Sequence, residues 1–398
     1  MHWFSLLTLC GYGLVVGMAF LRTRQFAVFV AVILGVYSLI AVAIARELSE
    51  ALPLIAALHV AVYVNFLALA RPRMRPLAYR LLVSWPASFF AGGTLLALPW
   101  AVLIAFGFHP IAPWFPYLLA LIGLLQSLTS RKEEVDLVVA GPKGARTDAL
   151  APHPRGDHRE ERPLRIVQIT DPHLGPFMSV ERLRTISERA LSANPDLVLL
   201  TGDFLTMESH SDPDLLLRAL EPLRGLPGRV FACHGNHDHE APHVVARAMR
   251  ENGIRLLVDE AEEVDTEFGR IQIVGMDFKW RDRASHLSQV CNAYPRREGS
   301  LRLVLLHDPG AFKHLPEGEG DLVFSGHTHG GQVGLVSLGL SWTFLRLFGI
   351  SIPDHGYWAL GTNRMYVHRG TGHYGFPLRL GVPSEESVLR VHRQPISA

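Results

Sequence analysis

The segment LRIVQITDPH, residues 164–173, carries the pattern that decides the fold. An apolar, β-branched-rich run of strand length, 164–170, ends directly at Asp171 and His173. Similar runs precede polar residues at 197–201, 229–234, 302–306 and 322–325. Loops that leave the ends of buried strands are where a rigid α/β scaffold presents reactive groups. The pattern therefore predicts an α/β domain with a functional site at its strand ends.

The polar residues at these strand ends are all of metal-ligand type. They are Asp171, His173, Asp203, Asn236, His307, His327 and His329. Because side chains alternate along a strand, positions 171 and 173 can face the same side, as can 327 and 329. Carboxylates and imidazoles without thiolates suit divalent Mn, Fe or Zn. One carboxylate, best assigned to Asp203, can bridge two ions about 3.5–4 Å apart.

Further segments support the α/β layout. Apolar residues at 180, 183, 186 and 190 mark one face of a helix. Asp212 followed by Pro213 starts another helix, and a third is predicted over 242–252, ended by Gly253. Additional strands are predicted at the segments 135–140, 271–275, 364–368 and 387–392.

The motifs Asp-x-His, Gly-Asp, Gly-Asn-His-Asp, a later His and Gly-His-x-His, in this order, resemble those of the calcineurin-like metallophosphoesterases. The resemblance covers 164–398, and the motifs HRGTGH (368–373) and FPLRLG (376–381) are similar to those of a membrane-associated bacterial subgroup. It implies a double β-sheet sandwich flanked by helices, with a binuclear metal site at its rim. Such enzymes hydrolyse phosphate esters or pyrophosphates with a metal-activated hydroxide.

The resemblance also assigns the ligands. One ion would take Asp171, His173, Asp203 and His329, and the other would take Asp203, Asn236, His307 and His327. His237 matches the catalytic histidine that contacts the scissile phosphate and assists the leaving group. Many members orient that histidine with an Asp at the position of Thr206. Another acceptor, for which Asp238 is the candidate, must replace it here.

The first 130 residues have a different composition. They contain seven arginines and two glutamates, whereas the remaining chain holds 66 charged residues. Uncharged stretches of about 20 residues can cross a ~30 Å hydrocarbon core as helices. We predict a transmembrane region over 1–133, a linker over 134–163 and the metallophosphoesterase domain over 164–398. The region contains five predicted spans, at residues 3–21, 26–45, 51–70, 81–108 and 112–130, of which the fourth carries Pro86 and Pro99.

Arginines indicate the orientation, since basic residues near helix ends tend to stay cytoplasmic. They cluster at 22–24, 71–80 and 131–132, after the first, third and fifth predicted spans. We therefore expect a multi-pass inner-membrane protein with a cytoplasmic catalytic domain. An even number of spans would reverse one end. The three cysteines form no disulfide framework, which suits a reducing compartment. His59 in the third span is expected to hydrogen-bond between helices.

The sequence thus predicts a membrane-anchored, binuclear-metal phosphoesterase. Its substrate is a phosphorylated small molecule or lipid, with UDP-2,3-diacylglucosamine as one candidate. The alternatives are a soluble phosphodiester or phosphoprotein hydrolase, and a transporter or receptor with a phosphoesterase-like binding module. Nucleic acid is disfavoured because the catalytic part is net acidic.

Two further features stay open at this point. The apolar segment 333–350 is either a lip that rests on the bilayer or part of the core. Six other histidines lack motif support and are mostly predicted to be surface or packing residues. They are His210, His234, His239, His243, His314 and His373, of which His239 and His373 are the best candidates to meet substrate. Lys279, Arg281 and Arg283 are interpreted as a solvated charged face.

Overall fold

The computed structural model describes residues 2–139, 147–155 and 162–393. The chain divides into two compact units, which are described separately. The helical unit contains 1–128 together with two short segments, 207–211 and 375–380. The catalytic unit contains the rest of the chain from Thr129 onward.

The catalytic unit is built on two sheets. The six-stranded sheet has the order β1 (Ser130–Val139), β13 (Ser384–Arg393), β3 (Leu164–Ile169), β4 (Leu197–Leu200), β5 (Val230–Ala232) and β6 (Arg255–Leu256). The seven-stranded sheet has the order β2 (Thr147–Pro152), β11 (Gly356–Gly361), β12 (Asn363–Val367), β10 (Leu322–Ser325), β9 (Leu301–Leu306), β8 (Gly269–Met276) and β7 (Glu260–Thr266). This mixed α/β arrangement confirms the predicted fold class.

Parallel pairing places the predicted motifs together. Strands β3, β4 and β5 run parallel in one sheet, as do β8, β9, β10 and β12 in the other. The carboxyl ends of parallel neighbours lie at the same edge of a sheet, so the loops that follow them are neighbours. Every segment that carries a predicted metal ligand follows one of these parallel strands.

The core lies between the two sheets. Leu137, Ile166, Leu199 and Phe231 of the first sheet join one buried cluster with Ile273, Leu303, Phe324 and Tyr366 of the second. Full burial of such a side chain contributes roughly 1.5–3 kcal/mol. The central strands are buried on both faces, which explains why β9 is apolar except for the buried Arg302.

Helices cover the outer faces of the sheets. They are α8 (Val180–Ser192), α9 (Asp214–Leu220), α10 (Pro242–Glu251) and α11 (Arg283–Ala293), and a single turn α12 (Phe344–Leu347) follows later. The buried face of α8 is Leu183, Ile186, Ser187 and Ala190, close to the predicted apolar face. Helix α9 begins at Asp214, two residues after the predicted cap, and the Asp212 carboxylate accepts from the Asp214 N–H at 3.1 Å.

The predicted linker over 134–163 differs from the structure. Strand β1 begins at Ser130 and pairs in parallel with β13, and β2 pairs with β11 at the edge of the other sheet. The catalytic unit therefore begins near residue 129. Pro, Gly and charged residues made this stretch resemble a tether, but pairing with distant edge strands orders part of it. Ala140 and Gly141, at the boundary of the predicted strand and linker, lie outside the described residues.

The helical unit matches three of the five predicted spans. Helices α1 (His2–Arg22) and α2 (Arg24–Glu47) are long and apolar enough to cross a membrane, and so is α3 (Leu52–Ala68) with the turn before it. The buried His59 ring is hydrogen-bonded to residues on α1 and α2. Its Nε2 atom lies 3.0 Å from the Thr8 hydroxyl, and its Nδ1 atom lies 2.7 Å from the Tyr37 hydroxyl. The predicted hydrogen bonding of His59 between helices is therefore confirmed.

The other two predicted spans are less regular. The fourth consists of a turn α4 (Leu77–Tyr79), a π-helical stretch (Arg80–Ser84), α5 (Trp85–Leu96) and α6 (Leu98–Ala105), with α5 and α6 bent by 52°. Pro86 and Pro99 explain both irregularities, since proline removes a helix hydrogen bond and clashes with the preceding turn. The fifth, α7 (Phe115–Ser127), has 13 residues. At ~1.5 Å per residue this is shorter than a ~30 Å core.

The count of five spans is therefore not reproduced. Among the described residues, three helices are long enough to cross a membrane, or four if the bent pair is one span. The absence of charge over 81–130 left room for two spans, but proline and the polar break near His109 divide the helices further.

Candidate metal centre

The predicted ligands gather at one rim of the sandwich in two groups. In the first, Asp171, His173 and His329 place one ligand atom each within 4.8 Å of one another. The His173 and His329 Nε2 atoms are 3.2 Å apart, and His329 Nε2 is 3.4 Å from Asp171 Oδ1. All three residues are buried.

The second group consists of Asp203, His307 and His327, again within 4.8 Å of one another. His307 Nε2 lies 3.3 Å from Asp203 Oδ2 and 3.3 Å from His327 Nδ1. Six of the seven predicted ligands thus converge in two triads. The seventh, Asn236, lies in the loop after β5, and its buried Oδ1 has no hydrogen-bond partner among the described residues.

Asp203 lies between the two groups. Its Oδ2 atom is 3.3 Å from His307 Nε2 and 3.7 Å from His173 Nε2. A carboxylate in this position is within reach of a cation in either triad, as the predicted bridging role requires.

The backbone is strained where it presents these ligands. Asp171, His173, Asp203, His327 and His329 have φ angles of 51°, 46°, 56°, 68° and 51°. Left-handed backbone at non-glycine residues is uncommon and costs about 1–3 kcal/mol each. Such strain persists only where surrounding structure enforces it, and it concentrates at functional sites.

Neighbouring groups orient the ligands. The His307 Nδ1 atom is 2.6 Å from the Thr201 carbonyl, to which it donates, so Nε2 is turned toward Asp203. The Thr170 hydroxyl donates to Asp171 Oδ2 at 2.7 Å. The buried Asp238 carboxylate accepts from the backbone N–H groups of Asp203, Phe204 and Gly235 at 2.7 to 2.9 Å.

Two glycines make room for the ligand carboxylates. A Cβ atom on Gly235 would lie 2.2 Å from Asp203 Oδ1, and one on Gly326 would lie 2.1 Å from Asp171 Oδ2. Real Cβ atoms do not approach so closely. Both glycines stand in the motifs Gly-Asn-His-Asp and Gly-His-Thr-His, so the motif glycine is a steric requirement for the ligand position.

We expect Gly326→Ala to displace the Asp171 carboxylate. Because a misplacement of about 1 Å can cost ~100-fold in rate, activity should fall by about that factor together with metal content. Activity assays and elemental analysis of the purified chain measure both. Gly225→Ala is the matched control, since its Cβ meets only the Leu191 side chain at 3.2 Å. Full activity and metal content in Gly326→Ala would contradict the packing argument.

The charges of the two triads are strongly coupled. Burial acts to raise the pKa of Asp203, but the His307 imidazole holds it well below its usual range. Burial raises the pKa of Asp171 to about 6. Burial acts to lower the pKa of His307, but Asp203 and Asp171 raise it to about 10. Burial lowers the pKa of His173 to about 3.

These directions fit a cation site. Negative charge on Asp203 is balanced by a proton on His307, and a divalent cation can take the place of that proton when it binds. The buried His173 Nδ1 and Asn236 Oδ1 atoms also lack partners among the described residues. Buried polar atoms are normally satisfied, so unpartnered ones beside a mixed N/O donor set suit borderline divalent ions.

His237 lies beside the first triad with a different environment. Its backbone N–H donates to Asp203 Oδ1 at 2.9 Å, and its Nδ1 is 3.0 Å from Glu240 Oε1. Burial acts to lower the pKa of His237, but the hydrogen bond that its ring donates to Glu240 and the charge of Asp203 raise it. The expected orienting role of Asp238 is wrong: its oxygens bind backbone amides, and Glu240 contacts the ring instead.

Several residues around the site were not identified from the sequence. The Tyr374 ring lies 4.4 Å from the His237 ring and 4.9 Å from the His173 ring. The centroid of the Phe278 ring lies 6.1 Å from that of the His327 ring. Glu240, three residues after His237, could have been found from its spacing, but Tyr374 and Phe278 carry no local signal.

Two residues of the predicted charged face form ion pairs, and His373 is buried. Lys279 Nζ is 3.1 Å from Asp277 Oδ2, and Arg283 Nη2 is 2.7 Å from Asp308 Oδ2. His373 is buried against Phe177, with ring centroids 5.1 Å apart.

The two-sheet sandwich, with Asp and His side chains gathered at its rim, agrees with a phosphoester hydrolase of the metallophosphoesterase class. Residues 164–331 match the family model for calcineurin-like phosphoesterase. The chain therefore contains a calcineurin-like phosphoesterase domain.

Relatives agree with this class. The chain is 28% identical over 239 residues to Phosphodiesterase YaeI of Escherichia coli (strain K12), covering 58% of this chain and 82% of the relative. It is 30% identical over 235 residues to a protein of Helicobacter pylori (strain ATCC 700392 / 26695) named as an uncharacterized metallophosphoesterase, covering 58% and 60%. It is 25% identical over 287 residues to UDP-2,3-diacylglucosamine pyrophosphatase LpxG of Chlamydia trachomatis serovar D, covering 58% and 84%.

Proposed function

We propose that the chain is a membrane-anchored phosphoesterase that holds two divalent ions on its paired triads, with Asp203 shared between them. The observation that supports this most directly is the position of Asp203 Oδ2, 3.3 Å from His307 Nε2 and 3.7 Å from His173 Nε2. Asn236 is proposed to complete the second ion's ligands. Mn, Fe and Zn are the candidate metals because the donors are imidazole, carboxylate and amide groups.

When bound, two such ions supply Lewis acidity and lower the pKa of a coordinated water. The protein's own groups then orient the substrate and move protons. Since Nδ1 of His237 faces Glu240, Nε2 is the atom left to carry a proton toward the substrate. From there it can donate to the departing oxygen of the phosphoester, as a general acid does.

We further propose a lipid-linked substrate, on the evidence of the apolar lip, defined as residues 333–350. The lip begins four residues after His329, next to the loop that carries the candidate ligands. Isolated β-bridges pair Val333 with Gly381 and Gly334 with Thr343, and the lip belongs to neither sheet. Its large apolar side chains are exposed: Leu335, Leu338, Leu340, Trp342, Phe344, Leu347, Phe348 and Ile350. The alternative of a buried core segment is therefore wrong.

The only charge in the lip is neutralised within the catalytic unit. Arg346 Nη2 lies 3.0 Å from Asp354 Oδ1, and its guanidinium also lies 5.3 Å from the Trp358 ring centroid. The surface of the lip is consequently apolar. Exposed apolar patches of this size mark interaction sites, and a chain with transmembrane helices offers the bilayer as the partner.

The name of LpxG suggests the substrate class. A nucleotide diphosphate linked to an acylated sugar combines a pyrophosphate for the metal centre with acyl chains for the lip. UDP-2,3-diacylglucosamine is therefore our first candidate, and phospholipids are the next.

Replacing Trp342 and Phe344 with Ser tests the lip. Each buried aromatic contributes roughly 1.5–3 kcal/mol, so activity on UDP-2,3-diacylglucosamine in vesicles should fall at least about tenfold. Activity on a soluble chromogenic phosphodiester should be unchanged, which controls for folding and metal loading. Equal loss on both substrates would reject the lip, and no activity of the intact chain on any phosphoester would reject the hydrolase.

We propose that the catalytic unit is cytoplasmic, in the inner membrane. The arginines at 71–80 and the basic pair Arg131 and Lys132 support this. Both basic groups lie on the same side if α5 and α6 form a re-entrant loop and α7 does not cross the membrane. They also do so if the bent pair crosses the membrane once and α7 crosses back. Digestion of the unit by protease in inverted vesicles, but not in intact spheroplasts, is the expected result. The reverse pattern would place the unit outside.

A further inference from the structure

A third cluster of ligand-type side chains lies outside the two triads. His234, His239 and Asp277 each place one nitrogen or carboxylate oxygen within 4.8 Å of the others. His234 follows β5 in one sheet, Asp277 follows β8 in the other, and His239 lies in the turn between β5 and α10. The cluster thus forms only where the two sheets meet at the rim.

The distances in the cluster fit a common cation. Asp277 Oδ1 is 3.4 Å from His234 Nδ1 and 2.9 Å from His239 Nε2. Ligands about 2.0–2.2 Å from a tetrahedral zinc ion are separated from one another by roughly 3.3–3.6 Å. The 3.4 Å pair matches this spacing, and the 2.9 Å pair would have to open by about 0.4 Å when the ion binds.

Unsatisfied polar atoms point to a missing partner. His234 is 7% exposed, and neither of its ring nitrogens has a hydrogen-bond partner among the described residues. Asp277 Oδ1 also lacks a hydrogen bond, although it lies within ion-pair distance of both rings. Buried polar atoms seldom remain unpaired.

The two carboxylate oxygens of Asp277 have different neighbours. Lys279 contacts the other oxygen, Oδ2, at 3.1 Å. Oδ1 therefore stays available on the side of the two histidines.

We propose that His234, His239 and Asp277 form a third divalent-cation site, separate from the paired triads, with zinc as the best-fitting ion. Two imidazoles and one carboxylate are the protein ligands of an open zinc site, whose fourth position is taken by water or a substrate oxygen. His239, whose side chain is 40% exposed, forms the side of the site that faces solvent. The site thus offers an additional positive charge on the rim where anionic substrates approach.

Metal stoichiometry tests this site without an activity assay. The full chain is purified in detergent, stripped with chelator, saturated with zinc, desalted and analysed for bound zinc. We expect His239→Ala and Asp277→Asn to hold one equivalent less than the unmodified chain. His243→Ala is the matched control, because His243 is an exposed histidine on the neighbouring helix and lies outside the cluster. It should retain the full content.

A double variant separates this site from the paired triads. In the Asp203→Asn background one equivalent should remain, and adding His239→Ala should remove it. That result holds whether or not the chain hydrolyses the proposed substrate. If His239→Ala and the unmodified chain bind equal amounts of zinc, the cluster is an ordinary ion-pair network and the proposal is overturned.

Discussion

Asp203→Asn is expected to lose the metal held by the paired triads and, with it, activity. The amide keeps the size of the side chain but removes the negative charge that both triads share. Transition-state stabilisation by metal ions is worth several kcal/mol, and each 1.36 kcal/mol is tenfold, so activity should fall by at least about 1000-fold. Elemental analysis and a phosphodiester assay on the full chain provide the measurements.

The control for this prediction is Asp265→Asn, which changes an exposed carboxylate on β7. It should leave metal content and activity as in the unmodified chain. Folding of both variants can be compared by thermal unfolding. An Asp203→Asn chain that retains its metal and its activity would show that the carboxylate does not bridge.

His237→Ala is expected to have the second largest effect and to leave the metal bound. General acid catalysis is worth about 100- to 10,000-fold, and the loss should be greatest for substrates with poorly departing alcohols. A substrate that releases a nitrophenolate needs little protonation, so its hydrolysis should fall much less. Comparing alkyl and nitrophenyl phosphodiesters therefore isolates the proton-donating role from metal binding.

Glu240 offers a graded version of the same test. Its carboxylate contacts His237 Nδ1 at 3.0 Å and is a positioning group, so Glu240→Gln should give a smaller loss with the same dependence on the leaving group. His243→Ala again serves as the control. Equal losses for both leaving groups in His237→Ala, or loss of metal, would assign His237 a structural or ligand role instead.

The strands that precede the candidate ligands show which parts of the fold local sequence patterns can predict. Strands β3, β4, β9 and β10 begin and end within one residue of their predicted bounds, because mainly apolar runs of strand length are buried in the centre of the sheets. The strands β2, β6, β7 and β11 were missed. β2, β6 and β7 are edge strands, and β11, bounded by glycines, pairs with the edge strand β2. Edge strands depend on a distant partner rather than on their own hydrophobicity.

In the helical unit, composition predicted some of the helices but not the number of membrane crossings. Hydropathy located α1, α2 and α3 because an uncharged stretch of about 20 residues has one stable form in a bilayer. Over 81–130 the same composition did not determine how the chain is divided. Proline positions and packing within the unit separate α5, α6 and α7, so the number of crossings was not accessible from the absence of charge alone.

The sequence by itself determined the class of the protein, the candidate ligand residues and the ends of the strands that carry them. Those properties depend on residue type and on short spacing, which are local. Only the tertiary structure decided that Glu240 rather than Asp238 contacts His237, that residues 333–350 are exposed, and that His234, His239 and Asp277 meet. Contacts of this kind join residues from different strands or loops, and their geometry exists only after the two sheets have packed.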